Sequence, residues 1–64
     1  MTERLLKKAE VEQITSLSAT EIQRREKDGT FPQHLSISPK RVAWIASEIE
    51  AWVQAKIKNA RSNA

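Results

Sequence analysis

The sequence predicts a mainly α protein with a small two-stranded β-hairpin: a winged helix-turn-helix in the order α-turn-α-β-β-α. Three observations predict it. A capped helix start falls at Ser18, a glycine and proline stop falls at Gly29 and Pro32, and the alternation of Leu35 and Ile37 with polar residues is followed by a helix-spaced apolar series ending at Ile57.

The elements follow in order. After Leu5 and Leu6, the recurrence of Val11, Ile14 and Leu17 at helical spacing predicts a first helix from about Lys8 to Ile14 with one buried stripe. Thr15-Ser16 reads as a turn. Ser18-Ala19-Thr20-Glu21 fits a capping box, with Ser18 accepting from the N3 amide and Glu21 returning to the cap, and Leu17 with Ile22 forms a hydrophobic staple. Gly29 ends this second helix, since glycine adopts the left-handed conformation that satisfies the last carbonyls, and Pro32 prevents its resumption. Its expected span is Ser18 to Lys27.

Leu35 and Ile37 alternate with His34 and Ser36, and after Ser38-Pro39-Lys40 comes Arg41-Val42-Ala43-Trp44, which predicts a hairpin with a basic tip. A last helix is expected from about Ala46 to Lys58, burying Ile49, Trp52, Val53 and Ile57. The polar tail from about Asn59 is expected to fray.

Composition sets the function classes. The chain has 64 residues and no cysteine, so it is read as one winged domain over residues 1–64 with an ordered core over about residues 4–58 and no disulfide or Cys-ligated metal. A domain this size leaves little room for an enclosed substrate cavity, and no nucleophile with a paired base, Gly-rich phosphate loop or carboxylate pair is recognisable. The expectation is therefore a non-enzyme without cofactor, metal or small-molecule substrate. No apolar run approaches a membrane span, and no apolar stretch follows Met1-Thr2-Glu3-Arg4, so a complete cytoplasmic, nucleoid-associated protein is expected. Eleven Lys and Arg against eight Asp and Glu give a formal charge of +3, which suits a polyanionic partner.

Placement of charge sharpens that reading. With Ile22 inward and about 100° per residue, Thr20, Gln23, Arg24 and Lys27 share an outward arc that holds no carboxylate, while Glu21, Glu26 and Asp28 fall to its sides. Arg24 offers a bidentate fork to guanine and Gln23 one to adenine; Thr20 suits a thymine methyl or a phosphate, and Lys27 suits a phosphate. Ser18 at the helix start completes this set. Ser38, Lys40 and Arg41 at the hairpin tip are the second candidate contact, and Lys7 and Lys8 add candidate phosphate contacts from the first helix. A solvated helix face and an ordinary polar hairpin tip are the alternatives for these residues. Trp44 and Trp52 read as core, and His34 reads as a solvent-facing strand residue without metal-ligand partners.

With those elements placed, the sequence resembles the AlpA-like family of prophage regulators and excisionases, whose winged domains are related to the MerR-type fold. The resemblance spans about residues 4–57. It is carried by Arg4-Leu5-Leu6-Lys7 with Glu10-Val11, by Leu17-Ser18 with Ile22, Arg24 and Lys27-Asp28-Gly29-Thr30-Phe31-Pro32, and by Arg41-Val42-Ala43-Trp44 with Ser47-Glu48-Ile49-Glu50-Ala51-Trp52. It implies that the second helix reads double-stranded DNA at a promoter or attachment-site repeat, that the Phe31-Pro32 loop leads into the wing, and that the last helix packs behind. Gln23 stands where the family often has tyrosine, Arg25-Glu26 where apolar residues are usual, and Ser38-Pro39-Lys40 replaces a glycine-rich wing tip. Arg25 and Glu26 either snorkel at the core edge or meet a neighbouring protomer or an integrase. Transcriptional regulation and excision both follow from such a surface; a winged adaptor that binds an acidic protein is the reading from another class. One protomer touches few base pairs, so copies assembling on repeated sites are expected from a chain that is monomeric without DNA.

Overall fold

The computed structural model describes residues 3–62. The elements are β1 (Leu5–Leu6), α1 (Lys8–Thr15), α2 (Ala19–Asp28), β2 (Leu35–Ser38), β3 (Arg41–Ile45) and α3 (Ala46–Ser62). The expected winged helix-turn-helix order holds, with one addition. Leu5-Leu6 is a strand of its own, paired antiparallel to β3 through Leu5↔Ile45 and Leu6↔Trp44, so the hairpin becomes a three-stranded sheet ordered β1-β3-β2. The Ala46 amide donates to the Arg4 carbonyl at 2.8 Å and carries that pairing one residue further.

Local chemistry explains the helix limits. Ser18 is the N-cap of α2, in extended conformation, and its Oγ accepts from the Glu21 amide at 3.3 Å. The expected return bond from Glu21 does not form among the described residues. That half of the device operates at α1 instead, where Glu10 Oε1 accepts from the Lys7 amide at 2.9 Å. At the other end of α2, the Gly29 amide donates to Glu26 O at 3.1 Å and the Thr30 amide to Arg25 O at 2.9 Å, with Gly29 at φ 77°. This is the paired 5→2 and 6→1 pattern of a Schellman end, which places the stop where the glycine predicts it.

The core is Leu6, Val11, Ile22, Phe31, Trp44, Ala46 and Ile49, with Leu17, Trp52 and Val53 packed on it half-buried. Full burial of a side chain such as Ile49 contributes about 1.5–3 kcal/mol. Two expected core residues lie outside. Ile14 is 46% exposed, because the chain reverses at Ser16, φ 61°, and Leu17 rather than Ile14 packs on the cluster. Ile57 is 41% exposed. Its helix contacts the core last at Val53 and then projects past the body, so the segment from Asn59 placed in a tail is helical through Ser62.

The sheet has a dry and a wet side. Leu6 and Trp44 are cross-strand partners on the face that meets Val11 and Ile22, whereas Leu5 on the other face is half exposed. Beyond Ala43 the hairpin leaves the body: Leu35, Ile37 and Val42 are all exposed. An irregularity between Ser36 and Ser38 shifts the register near the tip, which increases twist there. No helix of the described residues is long and apolar enough to cross a membrane.

Candidate nucleic-acid interface

The N-cap at Ser18 and the inward pull of Ile22 fix the rotation of α2, and that rotation decides which side chains are offered outward. Thr20, Gln23, Arg24 and Lys27 are all exposed and together line one shallow concavity of about 510 Å³ whose lining includes no carboxylate. The structure therefore brings the expected arc together. Ser18 lies at its N-terminal edge, exposed, with its oxygen engaged by the cap and its O–H still able to donate. Among the described residues the ion pairs are Arg4–Glu10 and His34–Glu26, so Arg24, Lys27, Lys40 and Arg41 have no carboxylate within salt-bridge distance. Arg24 does share a neighbouring surface with Glu21 and Asp28, so the acid-free character belongs to the concavity and not to the whole exposed side of the helix.

A second groove, about 260 Å³, joins α2 to the wing. It is lined by Lys8, Ala19, Ile22, Gln23 and Glu26 on the helical side, and by His34, Val42 and Trp44 on the wing side. Lys8 and Gln23 thus share a surface, and Val42 stands beside the hairpin tip. Lys7, the residue before α1, is exposed. Lys40 lies in the turn between β2 and β3 and is exposed, as is Arg41 at the start of β3, while Ser38 is half-buried. Strand alternation sends Arg41 to the face opposite Val42. Of the two tip cations, Lys40 is consequently less constrained to point away from α2.

Sequence reasoning missed the role of Glu26. Its side chain is 9% exposed and its carboxylate collects three donors: Oε2 accepts from the His34 amide at 2.8 Å and from Trp44 Nε1 at 3.1 Å, and both oxygens lie 3.0–3.1 Å from His34 Nδ1. His34 faces solvent as expected but precedes β2 instead of lying in it, and its ring is held by this carboxylate. A signal existed. Glu26 lies about 40° from Ile22 around the helix, too far inward for an unpartnered acid, and a buried indole N–H requires an acceptor. Arg25 does lie along the core edge, its guanidinium carbon 5.9 Å from the Trp52 ring centre, with Lys56 Nζ at 5.3 Å. Trp44 is buried; Trp52 is half-buried, donates to Thr30 O at 2.8 Å and packs edge-on to Phe31. Among the described residues no cluster of three or more His, Cys, Asp or Glu side chains is placed to hold a metal ion.

The family profile described as "Prophage CP4-57 regulatory protein (AlpA)" matches residues 4–57. A similar chain is the "Uncharacterized protein ORF88" of Enterobacteria phage P4, 38% identical over 55 residues that make up 86% of this chain and 62% of the phage protein. The chain therefore spans about three-fifths of the length of that relative.

Proposed function

This chain belongs to the AlpA family of prophage regulatory proteins, and we propose that it regulates by binding double-stranded DNA site-specifically, with α2 in the major groove and the β2–β3 hairpin on the flanking backbone. The carrying observation is the acid-free concavity of Thr20, Gln23, Arg24 and Lys27, which offers base-reading and phosphate-pairing groups on one exposed surface. In this reading Arg24 and Gln23 read base edges, Thr20 and Ser18 support them, and Lys27, Lys40, Lys7 and Lys8 meet phosphates. Arg41, on the face of β3 opposite Val42, and the half-buried Ser38 contribute to the wing contact only at the outer edge of the hairpin. The targets are promoter or attachment-site repeats of a mobile element, occupied by neighbouring copies of the chain, with an integrase as the protein partner. The activity is non-enzymatic and is exerted in the cytoplasm, on the nucleoid.

Two jobs fit this surface: control of integrase transcription, and direction of the integrase toward excision by bending attachment DNA. Footprinting across an integrase promoter and its attachment region tests the binding itself, and protection of discrete repeats is the expected result. Uniform weak protection, or retardation of duplex DNA that is insensitive to salt, would overturn the proposal, since neutralised phosphates impose a steep salt dependence. Excision by purified integrase on linear attachment substrates separates the two jobs. Stimulation by this chain identifies a directionality factor, and promoter binding without stimulation identifies a regulator of transcription. A winged adaptor for an acidic protein is the second reading, favoured by Arg25 and Lys56 around the half-buried Trp52; it predicts no duplex binding at all.

A further inference from the structure

The outer part of the wing has no packing to fix its angle. Leu35, Ile37 and Val42 are each about two-fifths exposed or more, and the third strand reaches β3 only at Trp44 and Ile45. Besides the core packing of Trp44 with Ile22, what crosses from α2 to the hairpin is a set of hydrogen bonds that converge on one residue. The Glu26 carboxylate accepts from the His34 amide, the His34 ring and the Trp44 indole, and its backbone carbonyl accepts from Gln33 Nε2 at 2.8 Å. His34 precedes β2 and Trp44 sits in β3, so both strands of the wing are tied at their base to the last turn of the helix that carries Gln23 and Arg24. A carboxylate on a helix facing a polyanion would repel it; here the charge is turned inward and consumed by donors, with 9% of the side chain exposed.

We infer that Glu26 is a positioning residue for DNA binding: it sets the angle between α2 and the wing, so that Lys40 reaches phosphate only while the Glu26 bonds are made. This inference rests on the proposed DNA-binding function and goes beyond it in assigning the coupling between its two contact surfaces to one side chain. The residue touches no DNA itself. Its loss acts through Lys40.

The test is a double-mutant cycle on random-sequence duplex DNA, reading the slope of log affinity against log salt for the whole chain. In the natural protein Lys40→Ala makes the slope shallower by about one. In a Glu26→Ala background the same Lys40→Ala change is expected to leave the slope unmoved, because the wing no longer engages, while Glu26→Gln, whose amide oxygen still accepts from Trp44, retains most of the Lys40 effect. A general loss of stability lowers the amount of folded protein but does not abolish the Lys40 increment. Circular dichroism of each variant establishes that it is folded. Should Glu26→Ala not fold, His34→Ala carries the same cycle, since that ring is 43% exposed and removes one donor without opening the core. A full Lys40 increment in the Glu26→Ala and His34→Ala backgrounds overturns the inference alone. Absence of any Lys40 effect in the natural protein also overturns it, and absence of salt-dependent binding by the natural protein overturns the proposed function with it.

Discussion

At the scale of single residues, a few positions perform tasks that apolar burial cannot. Gly29 is one. A Cβ built on it meets nothing within 4 Å, so Gly29→Ala is penalised only through its left-handed backbone, φ 77°. The expected loss is about 1–2 kcal/mol of stability, measured by chemical denaturation; a neutral Gly29→Ala would mean that the turn after α2 adopts another conformation. Arg24 is the second. It is exposed, without a carboxylate in salt-bridge distance, and lines the outward concavity, so Arg24→Ala is expected to leave stability within about 0.5 kcal/mol. At the preferred DNA site it should cost about 1–3 kcal/mol of binding. Competition between that site and random duplex reports the discrimination, and an unchanged ratio would remove Arg24 from the base-reading role.

The elements differ in how far the sequence discloses them, and the differences have physical causes. α2 was legible at both ends because a serine cap and a left-handed glycine act within a few residues of where they stand. β1 was not: two residues cannot show a period, and Leu5–Leu6 becomes a strand only because Trp44 and Ile45 arrive from far along the chain. The outward arc of α2 was legible from rotation alone, given Ile22 as the inward mark. That Glu26 turns inward was legible from the same rotation; which donors meet it was not, since they lie 8 and 18 residues away. α3 shows the same limit in apolar form. Ile49 and Ile57 both fit its helical spacing, yet only Ile49 is buried, because the body ends before the helix does. Ile49→Ala is accordingly expected to destabilise by about 2–5 kcal/mol and Ile57→Ala by less than about 0.5 kcal/mol. Thermal melts of the two variants check this; a large penalty at Ile57 would place a contact on the projecting half of α3.

For the whole molecule, the described residues span 43 × 31 × 20 Å, and this modest size governs how a regulator of this kind gains selectivity. On the proposed DNA-binding reading, one α2 and one wing would cover few base pairs, and several copies on neighbouring sites would supply the discrimination. α3 carries no sustained heptad seam that would hold two copies together in advance. Equilibrium sedimentation is expected to show a monomer without DNA and multiple copies on a fragment with repeated sites. A tight dimer in the absence of DNA would refute this order of assembly.

The place of β3 in the middle of the sheet has a consequence for local motion. Its inner end is flanked on both sides, by Leu6 at Trp44 and by Leu35 at Ala43, whereas its outer end has only β2 beside it. Amide protons should therefore exchange with solvent slowly near Ala43 and Ile45 and quickly near Arg41. A single strand then grades from a rigid root to a breathing tip, which on the proposed reading would let the tip follow the DNA backbone without loosening the hydrophobic core.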